Sequence, residues 1–392
     1  MNKTYCVLPW VHMHVKPNKD VHLCSRKSIP LGNLNDITPT ELFNSGEMNG
    51  VRERMNQGKC VAGCEKCYYE EEINNGKSLR TFMNNWFENL LFKDTILPWK
   101  EGFLNDVDQS DISVFSELKP SIKWVALHAS NVCNLACRGC YSLLSTKWRK
   151  DEVKLGINPY PLQNSKLNEF GFDFNEIDFI TMYGGEPFYM KQNDELTEMV
   201  KNDKHIGDKI LQYFTNGMIL PSDDTFKIWK SIKKLHLIIS IDAYGDANDY
   251  FRHGSKWDVI ATNLKLYISE SKKYDWELRI STLINIYNID TLDVLHNWLI
   301  TQGIKEQNID YNLCIYPQEL DIRNLPQEYK DSVLDKYRTI KLPSVLINMV
   351  TNQLNSESNI DFIASSAFSR KLDEMRGEVN PIESLKVYMN NC

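Results

Sequence analysis

The feature that most constrains this 392-residue chain is a short run in which Cys133, Cys137 and Cys140 follow the spacing C-x3-C-x2-C. The run comes directly after a strand-like segment, residues 124–130. Soft thiolates select zinc, copper(I) or iron–sulfur clusters, and a four-iron cluster normally takes four cysteines. A loop that supplies only three would leave one iron open to a ligand that is not protein. The spacing therefore predicts an iron–sulfur site with one open coordination position.

Zinc is the main alternative for this run. A structural zinc site would need a fourth Cys or His nearby, and the nearest histidine, His128, lies inside the preceding strand-like segment. Two glycines and a carboxylate, Gly184, Gly185 and Glu186, directly follow the next strand-like segment. This combination favours a cluster over a zinc ion.

The number of cysteines and the net charge indicate the cellular compartment and the kinds of partner to expect. Ten cysteines, with no signal segment at the N-terminus, favour metal ligands or redox chemistry over disulfides and predict a cytoplasmic protein. No apolar stretch reaches the length of a bilayer span, so no membrane association is expected. The net charge of -7 contains no long block of like charges, and nucleic acid is therefore not an expected partner.

Strand-like and helix-like segments alternate through the middle of the chain. An amphipathic stretch at residues 225–234, for example, repeats its apolar side chains every three residues. Alternation of this kind predicts parallel βαβ units, and six strands indicate an α/β fold built on a partial (β/α)6 barrel. The active site of such a barrel lies at the C-terminal ends of the strands, where the three-cysteine loop begins. The predicted strands are residues 124–130, 179–183, 210–214, 235–241, 278–284 and 309–316.

The N-terminal region is rich in loops and cysteines. A turn at residues 17–20 between two alternating runs predicts a hairpin, with His12 and His14 on an exposed face. Short helices are predicted at residues 40–43 and 48–55. A hairpin and two short helices bury little apolar surface, so we expect a bound metal to stabilise this module. We therefore expect four segments: a cysteine-rich module at 1–90, a linker at 91–122, the barrel at 123–316 and a helical C-terminal extension at 317–392.

The three-cysteine run and the segments that follow it resemble the radical S-adenosylmethionine (radical SAM) superfamily. The sequence from Tyr183 to Pro187 is similar to the family's GGEP motif, and residues 215–217 resemble a recurrent turn. The resemblance implies that the glycines let the backbone approach SAM and that an arginine holds its carboxylate. The cofactor-binding residues that it implies are Tyr141, Gly184, Gly185, Glu186, Asn216, Ser240, Asp242 and Arg252.

The run departs from the family at one position. The family usually has an aromatic residue against the adenine immediately before the third cysteine, and this chain has Gly139 there. We expect Tyr141 or backbone groups to supply the adenine contact instead.

The N-terminal module resembles the twitch or SPASM-like domain that holds an auxiliary cluster in many of these enzymes. Proteins with this module ahead of the barrel, many of them bacteriophage-like, are similar in arrangement. The resemblance implies Cys6, Cys24, Cys64 and Cys67 as cluster ligands. Cys60 leaves a second set open, in which it displaces Cys6 or Cys24, and zinc stays open as an alternative to iron–sulfur.

The resemblance also implies an activity. A radical SAM enzyme of this kind would carry two 4Fe–4S clusters, one SAM-binding and one auxiliary, and would accept electrons from a flavodoxin or ferredoxin. It would cleave SAM reductively to a 5'-deoxyadenosyl radical that abstracts hydrogen from a substrate. A peptide or protein side chain is the expected substrate, with a nucleotide, a small molecule or a non-catalytic metal- or cluster-binding module as alternatives. The sequence singles out no catalytic base, and it does not separate an oxidoreductase from a transferase.

Overall fold

The computed structural model describes residues 4–26, 29–73, 76, 78–92, 120–358 and 360–389. Most of the linker predicted at residues 91–122, and the terminal Cys392, lie outside these described residues. The chain divides into two compact units. The first contains Met1–Asn131, Gln163–Tyr213 and Pro221–His236, and the second contains Val132–Leu162, Phe214–Leu220 and Leu237–Cys392.

The strands of the first unit combine the N-terminal hairpin with the first predicted barrel strands. Their order is β3-β2-β1-β4-β5-β6. β1 pairs antiparallel with β2, as the turn predicts, and parallel with β4, where His12 lies opposite Trp124. β4, β5 and β6 pair in parallel. The six strands are β1 His12–Val15, β2 Asp20–His22, β3 Gly32–Asn33, β4 Trp124–His128, β5 Phe179–Tyr183 and β6 Ile210–Thr215.

The expectation that His12 and His14 are exposed is wrong. Each of the two side chains is only 2% exposed. The physical reason is the pairing of β1 with β4, which turns a predicted hairpin strand into an internal strand. His12 packs 4.3 Å from the ring of Trp124, and its Nδ1 lies 2.9 Å from the carbonyl oxygen of Leu23. Burial lowers the pKa of His12 to about 4, so this side chain is neutral at pH 7.

The helices follow the predicted pattern, with boundaries set by local caps. Thr38 and Glu41 form a capping box: the Thr38 hydroxyl accepts from the Glu41 amide at 3.2 Å, and the Glu41 carboxylate accepts from the Thr38 amide at 3.1 Å. The α-helices of the described residues are α1 Leu8–Val11, α2 Pro39–Phe43, α3 Gly46–Asn56, α4 Glu65–Ile73, α5 Leu79–Phe92, α6 Arg149–Lys154, α7 Lys191–Lys201, α8 Asp223–Trp229, α9 Asp246–Phe251, α10 Trp257–Tyr274, α11 Leu292–Gln302, α12 Gln327–Thr339, α13 Ser344–Leu354, α14 Phe362–Arg376 and α15 Glu383–Met389.

The second unit contains the end of β7 (Lys234–Ser240) together with β8 (Glu277–Ile284) and β9 (Ile309–Leu313). β8 and β9 pair in parallel, with Ile280 opposite Ile309. The C-terminal helices bury apolar side chains in one core with residues at the end of β8 and just after it. This core includes Ile284, Ile286, Tyr287, Val333, Val350 and Leu385, each no more than 1% exposed.

These elements confirm the predicted fold class. The chain is a mixed α/β protein with parallel strands, a cysteine-rich N-terminal region and a helical C-terminal region. Among the described residues, no helix combines the length and the apolar character that crossing a bilayer requires.

Candidate iron–sulfur and cofactor site

The three-cysteine loop belongs to the second unit and is fixed by backbone hydrogen bonds. The amide of Ala136 donates to the carbonyl of His253 at 2.9 Å, and the amide of Arg138 donates to the carbonyl of Phe251 at 2.7 Å. Within the loop, the Cys140 amide donates to the Cys137 carbonyl at 3.0 Å. One segment distant in sequence, residues 251–253, therefore holds the loop that carries the three thiols.

The thiols of this loop are close enough to influence one another. Burial raises the pKa of Cys140 well above its usual range, and the neighbouring Cys137 and Cys133 raise it further. Burial also raises the pKa of Cys137, against the opposing charge of Arg252. Thiols in this environment stay protonated unless a metal replaces the proton, as cluster ligation does.

Gly139 has no room for the aromatic side chain that the family carries at this position. A Cβ atom built there would lie 2.9 Å from Cζ of Phe251 and 3.4 Å from Cδ2 of Leu283. Phe251 is only 2% exposed. A buried ring from a different part of the chain thus fills the space beside the third cysteine, which explains the glycine.

Asn216 supports the loop through a neighbouring side chain. Its Nδ2 donates to Oδ1 of Asn134 at 2.8 Å, and its Oδ1 accepts from the amide of Met218 at 2.9 Å. Asn134 directly follows Cys133 in the sequence. Asn216 therefore joins the turn after β6 to the start of the cysteine loop.

Asp242 and Arg252 form a buried ion pair in the same unit. Oδ2 of Asp242 lies 2.7 Å from Nη2 of Arg252, and the two side chains are 1% and 12% exposed. Oδ1 of Asp242 accepts from the Leu283 amide at 2.8 Å, which fixes the carboxylate. Nε of Arg252 is buried and has no hydrogen-bond partner among the described residues. The pair thus presents an oriented guanidinium, with a donor to spare, close to Cys137.

Ser240, the last residue of β7, is half-buried.

Tyr141 lies between two further tyrosines. Its ring centroid is 6.3 Å from that of Tyr160 and 5.9 Å from that of Tyr316. Tyr160 and Tyr316 are 49% and 66% exposed, and the Tyr160 amide donates to the Ser142 hydroxyl at 2.8 Å. Burial raises the pKa of Tyr141 to about 12, so the phenol is neutral. Sequence reasoning missed Tyr160 and Tyr316, because nothing in their local sequence sets them apart from ordinary surface tyrosines.

The predicted GGEP-like turn belongs to the first unit. Gly184 has a φ of +110°, and a Cβ there would lie 2.9 Å from the carbonyl oxygen of Ser130, so only glycine fits. The Gly185 amide donates to the same oxygen at 3.0 Å. Glu186 is 1% exposed, and its Oε1 accepts from the Phe188 amide at 3.2 Å. The turn is thus fastened to the chain that leaves β4.

A second set of cysteines lines one cavity in the first unit. Cys6, Cys24, Cys64 and Cys67 all face this cavity. Cys64 directly precedes α4 and Cys67 lies in its first turn, where the helix dipole favours thiolates. Burial raises the pKa of Cys6 well above its usual range, and Cys24 and Cys64 are near enough to raise it further.

Positive side chains share this cavity with the thiols. Arg26, Lys66 and Arg80 are among its lining residues. Arg80 is 6% exposed, and its Nε donates to Oε1 of Glu71 at 2.8 Å. Nearby cations favour the anionic state that thiolate ligands require.

Cys60 is exposed and is not among the cysteines that line the described part of this cavity. Its carbonyl accepts from Nε and Nη2 of Arg54 at 3.0 and 2.8 Å. Within the described residues, no three His, Cys, Asp or Glu side chains are grouped closely enough to enclose a single metal ion.

Both sets of donors fit iron–sulfur clusters in their chemistry. Thiolates are the ligands that such clusters take, with four at an ordinary site and three where one iron stays open. The three-thiol loop has an oriented arginine beside it, and the four-thiol cavity contains cations. Each set of cysteines lies on loops or at a helix start.

Comparisons with known proteins give partial matches. No curated protein sequence matches the chain significantly. Solved structures that match part of it include native anSMEcpe with bound AdoMet, with 16% identity, a TM-score of 0.37, and coverage of 54% of this chain and 61% of that chain. Native anSMEcpe with bound AdoMet and a Cp18Cys peptide matches at 16% identity and a TM-score of 0.35, over 55% of this chain and 59% of that one. SuiB of Streptococcus suis bound to S-adenosylmethionine matches at 14% identity and a TM-score of 0.37, over 55% and 44%. The chain therefore spans less than two thirds of the length of each of these structures.

Two family models match the chain in the order that the cysteines predict. The model of the iron–sulfur cluster-binding domain SPASM matches residues 6–68, and that of the radical SAM superfamily matches residues 127–299. The first range contains the four cysteines of the cavity, and the second contains the three-cysteine loop and the turns that follow β5, β6 and β7. The matches indicate iron–sulfur clusters and SAM binding. The chain is a radical SAM protein with an N-terminal SPASM domain.

Proposed function

We propose that this protein is an enzyme that cleaves SAM reductively at a 4Fe–4S cluster held by Cys133, Cys137 and Cys140. The observation that carries the proposal is the loop of three thiols beside the oriented Arg252–Asp242 ion pair. When bound, the cluster and SAM supply a 5'-deoxyadenosyl radical that abstracts hydrogen from substrate. The protein residues position and orient the cofactor, and they exclude water.

Three predicted site residues of the second unit have defined roles in this arrangement. Arg252 offers its spare Nε donor to the SAM carboxylate, and its planar guanidinium suits two oxygens. Asp242, a cofactor contact by the resemblance, also orients Arg252 through their ion pair. Asn216 holds the start of the loop through Asn134. Ser240, with Gly184, Gly185 and Glu186 of the first unit, stays a predicted SAM contact on the resemblance alone.

For the auxiliary site we propose a second 4Fe–4S cluster bound by Cys6, Cys24, Cys64 and Cys67. Their common cavity and its three cations support this set over one that includes the exposed Cys60. The proposed domain limits stay 1–90, 91–122, 123–316 and 317–392. A reducing compartment such as the cytoplasm, and a flavodoxin or ferredoxin as electron donor, suit these clusters.

For the substrate we propose a peptide or protein side chain. Enzymes that this chain resembles often modify such side chains. The tyrosines beside the cluster loop support a contact of this kind, since Tyr160 and Tyr316 are exposed on either side of Tyr141. Aromatic rings give a large contact area at low cost in conformational entropy. We assign the adenine contact to Tyr141 and the substrate contact to Tyr160 and Tyr316.

The activity is tested by anaerobic reconstitution with iron and sulfide, followed by SAM and a strong reductant. We expect 5'-deoxyadenosine from the wild type and none from Cys133→Ala. Gly207→Ala is a matched control, because a Cβ at Gly207 meets nothing within 4 Å. Absence of 5'-deoxyadenosine from wild-type protein that has bound iron would overturn the proposal.

Metal analysis of the same samples tests the auxiliary site. Two four-iron clusters correspond to about eight irons per chain, and one cluster with a structural zinc to about four irons and one zinc. We expect the first result. The second would replace the auxiliary cluster by a zinc site.

A further inference from the structure

The arginine inside the three-cysteine loop is completely buried. Arg138 lies between Cys137 and Cys140, and its side chain is 0% exposed. Its Nε donates to the carbonyl of Tyr250 at 3.0 Å, and its guanidinium lies 3.7 Å from the centroid of the Tyr250 ring. A buried guanidinium is costly unless carboxylates pair with it.

The carboxylates that pair with Arg138 come from the C-terminal helical region. Nη2 lies 2.5 Å from Oδ1 of Asp373, in α14, and 2.5 Å from Oε2 of Glu378, just after that helix. The Tyr250 hydroxyl donates to Oδ1 of Asp373 at 2.9 Å. Oε1 of Glu378 lies 2.5 Å from Nδ1 of His253, whose carbonyl accepts from the loop amide of Ala136. Both carboxylates are thereby tied to the loop and to the segment that supports it.

A second set of contacts joins α14 to the same loop through Trp148. The Trp148 ring packs in one buried cluster with Ala136 of the loop and Leu372 of α14. Its Nε1 donates to the carbonyl of Cys137, a proposed ligand, at 2.7 Å. The guanidinium of Arg376 lies 4.8 Å from the Trp148 ring centroid and pairs with Asp151 at 2.8 Å.

We propose that Asp373 and Glu378 are positioning residues for the SAM-binding cluster, acting through Arg138. The inference rests on the proposed function, since it requires that the loop hold the cluster. Arg138 is fixed at Nε and Nη2 and stacked on a ring, so the backbone between the second and third ligands has little freedom. The two carboxylates thus determine how the loop presents Cys137 and Cys140. The C-terminal region is then part of the catalytic assembly.

A packing role alone would predict a different outcome. Loss of one buried ion pair would lower stability wherever it occurs, with no specific effect on the cluster. A positioning role predicts an effect on the cluster with the open iron. Direct partners of metal ligands change metal affinity or activity by about 10–100-fold, and residues that act through Arg138 belong at the lower end of that range.

The test compares Asp373→Asn and Glu378→Gln, singly and together, with Asp293→Asn in the full chain. Asp293 is a matched control: its side chain is 18% exposed, as are those of Asp373 and Glu378, and it pairs with Lys336 at 2.9 Å. The readouts are iron per chain and the electron paramagnetic resonance signal of the reduced protein with and without SAM. Only a cluster with an open iron responds to SAM directly.

We expect the double variant to lose about tenfold in the SAM-responsive signal, in line with other outer partners of metal ligands. The Asp293→Asn variant should retain the wild-type signal. Asp373→Glu keeps the charge and should restore part of the signal. If the double variant does not fold by circular dichroism, the single variants give the same test, because each leaves one carboxylate on Arg138.

The two proposals fail in different ways. A wild-type protein with iron but no SAM-responsive signal would overturn the proposed function. A wild-type signal that the Asp373 and Glu378 variants and the Asp293 control all keep unchanged would overturn the positioning role alone.

Discussion

Replacing Gly139 by alanine puts a methyl group against a buried aromatic ring. The new Cβ would lie 2.9 Å from Cζ of Phe251, closer than carbon atoms normally approach, and 3.4 Å from Cδ2 of Leu283. Phe251 packs 6.3 Å from the ring of Tyr287 in a core where both side chains are at most 2% exposed. The ring therefore cannot move aside without disturbing that core. Overpacking of this kind typically costs about 1–3 kcal/mol.

The assay is thermal unfolding of the metal-free protein together with iron uptake on anaerobic reconstitution. For a domain of about 150–250 residues, each kcal/mol lowers the Tm by about 2–4 °C. We therefore expect Gly139→Ala to lower the Tm and to reduce cluster uptake, because the clash lies between the second and third thiols. Gly207→Ala, with open space around its Cβ, should change neither measurement.

A double-mutant cycle with Phe251→Leu tests the cause. The shorter side chain removes the Cζ atom that the new methyl group meets, so the two changes should compensate by about 1 kcal/mol relative to their sum. Additive losses in the double variant would refute the reasoning that Phe251 is the reason for the glycine.

Two site residues and one buried histidine give three further expected outcomes. Cys64→Ser should lower the iron content by about four per chain, whereas Cys60→Ser should leave it unchanged; equal losses would include Cys60 among the ligands. Arg252→Lys should weaken SAM binding by about tenfold in equilibrium titration, since a lysine cannot form the bidentate contact, and unchanged affinity would remove Arg252 from the cofactor site. His12 should make the fold acid-sensitive: its folded pKa of about 4 lies below the ordinary 6.5, so the unfolded chain binds a proton first and stability falls as the pH drops from about 6.5 to 4. His12→Asn should flatten this fall in unfolding of the metal-free protein at pH 7 and pH 5, and an equally steep fall would contradict the assignment.

Local patterns in the sequence were enough to find the strands and to predict the ligands. β5 begins and ends at the predicted residues, and β4, β6, β7, β8 and β9 differ from the prediction by at most three residues at either end. Ligand spacing and apolar alternation are properties of neighbouring residues, so no knowledge of the folded chain is needed to see them. The roles of the site residues stay predictions.

The hairpin shows what local patterns cannot supply. Alternation around His12 and His14 predicts a strand with one exposed face, yet pairing with β4 buries both side chains. The two strands are more than a hundred positions apart in the chain, and their pairing depends on the packing of the whole unit. Periodicity identifies a strand, but only its neighbours decide which faces are buried.

The cysteine loop also has some features that are visible in the sequence and others that depend on the folded chain. By itself, the sequence predicted three cysteine ligands on one loop and an iron–sulfur site with an open position, and its motifs identified the superfamily, because ligand number, spacing and motifs are local properties of the chain. Only the tertiary structure decided why Gly139 stands beside the third cysteine, since the ring that fills its space comes from Phe251. Only the tertiary structure also brought Asp373 to Arg138 across 235 positions. Contacts of that range leave no local pattern, because burial and charge pairing select them after the chain has folded.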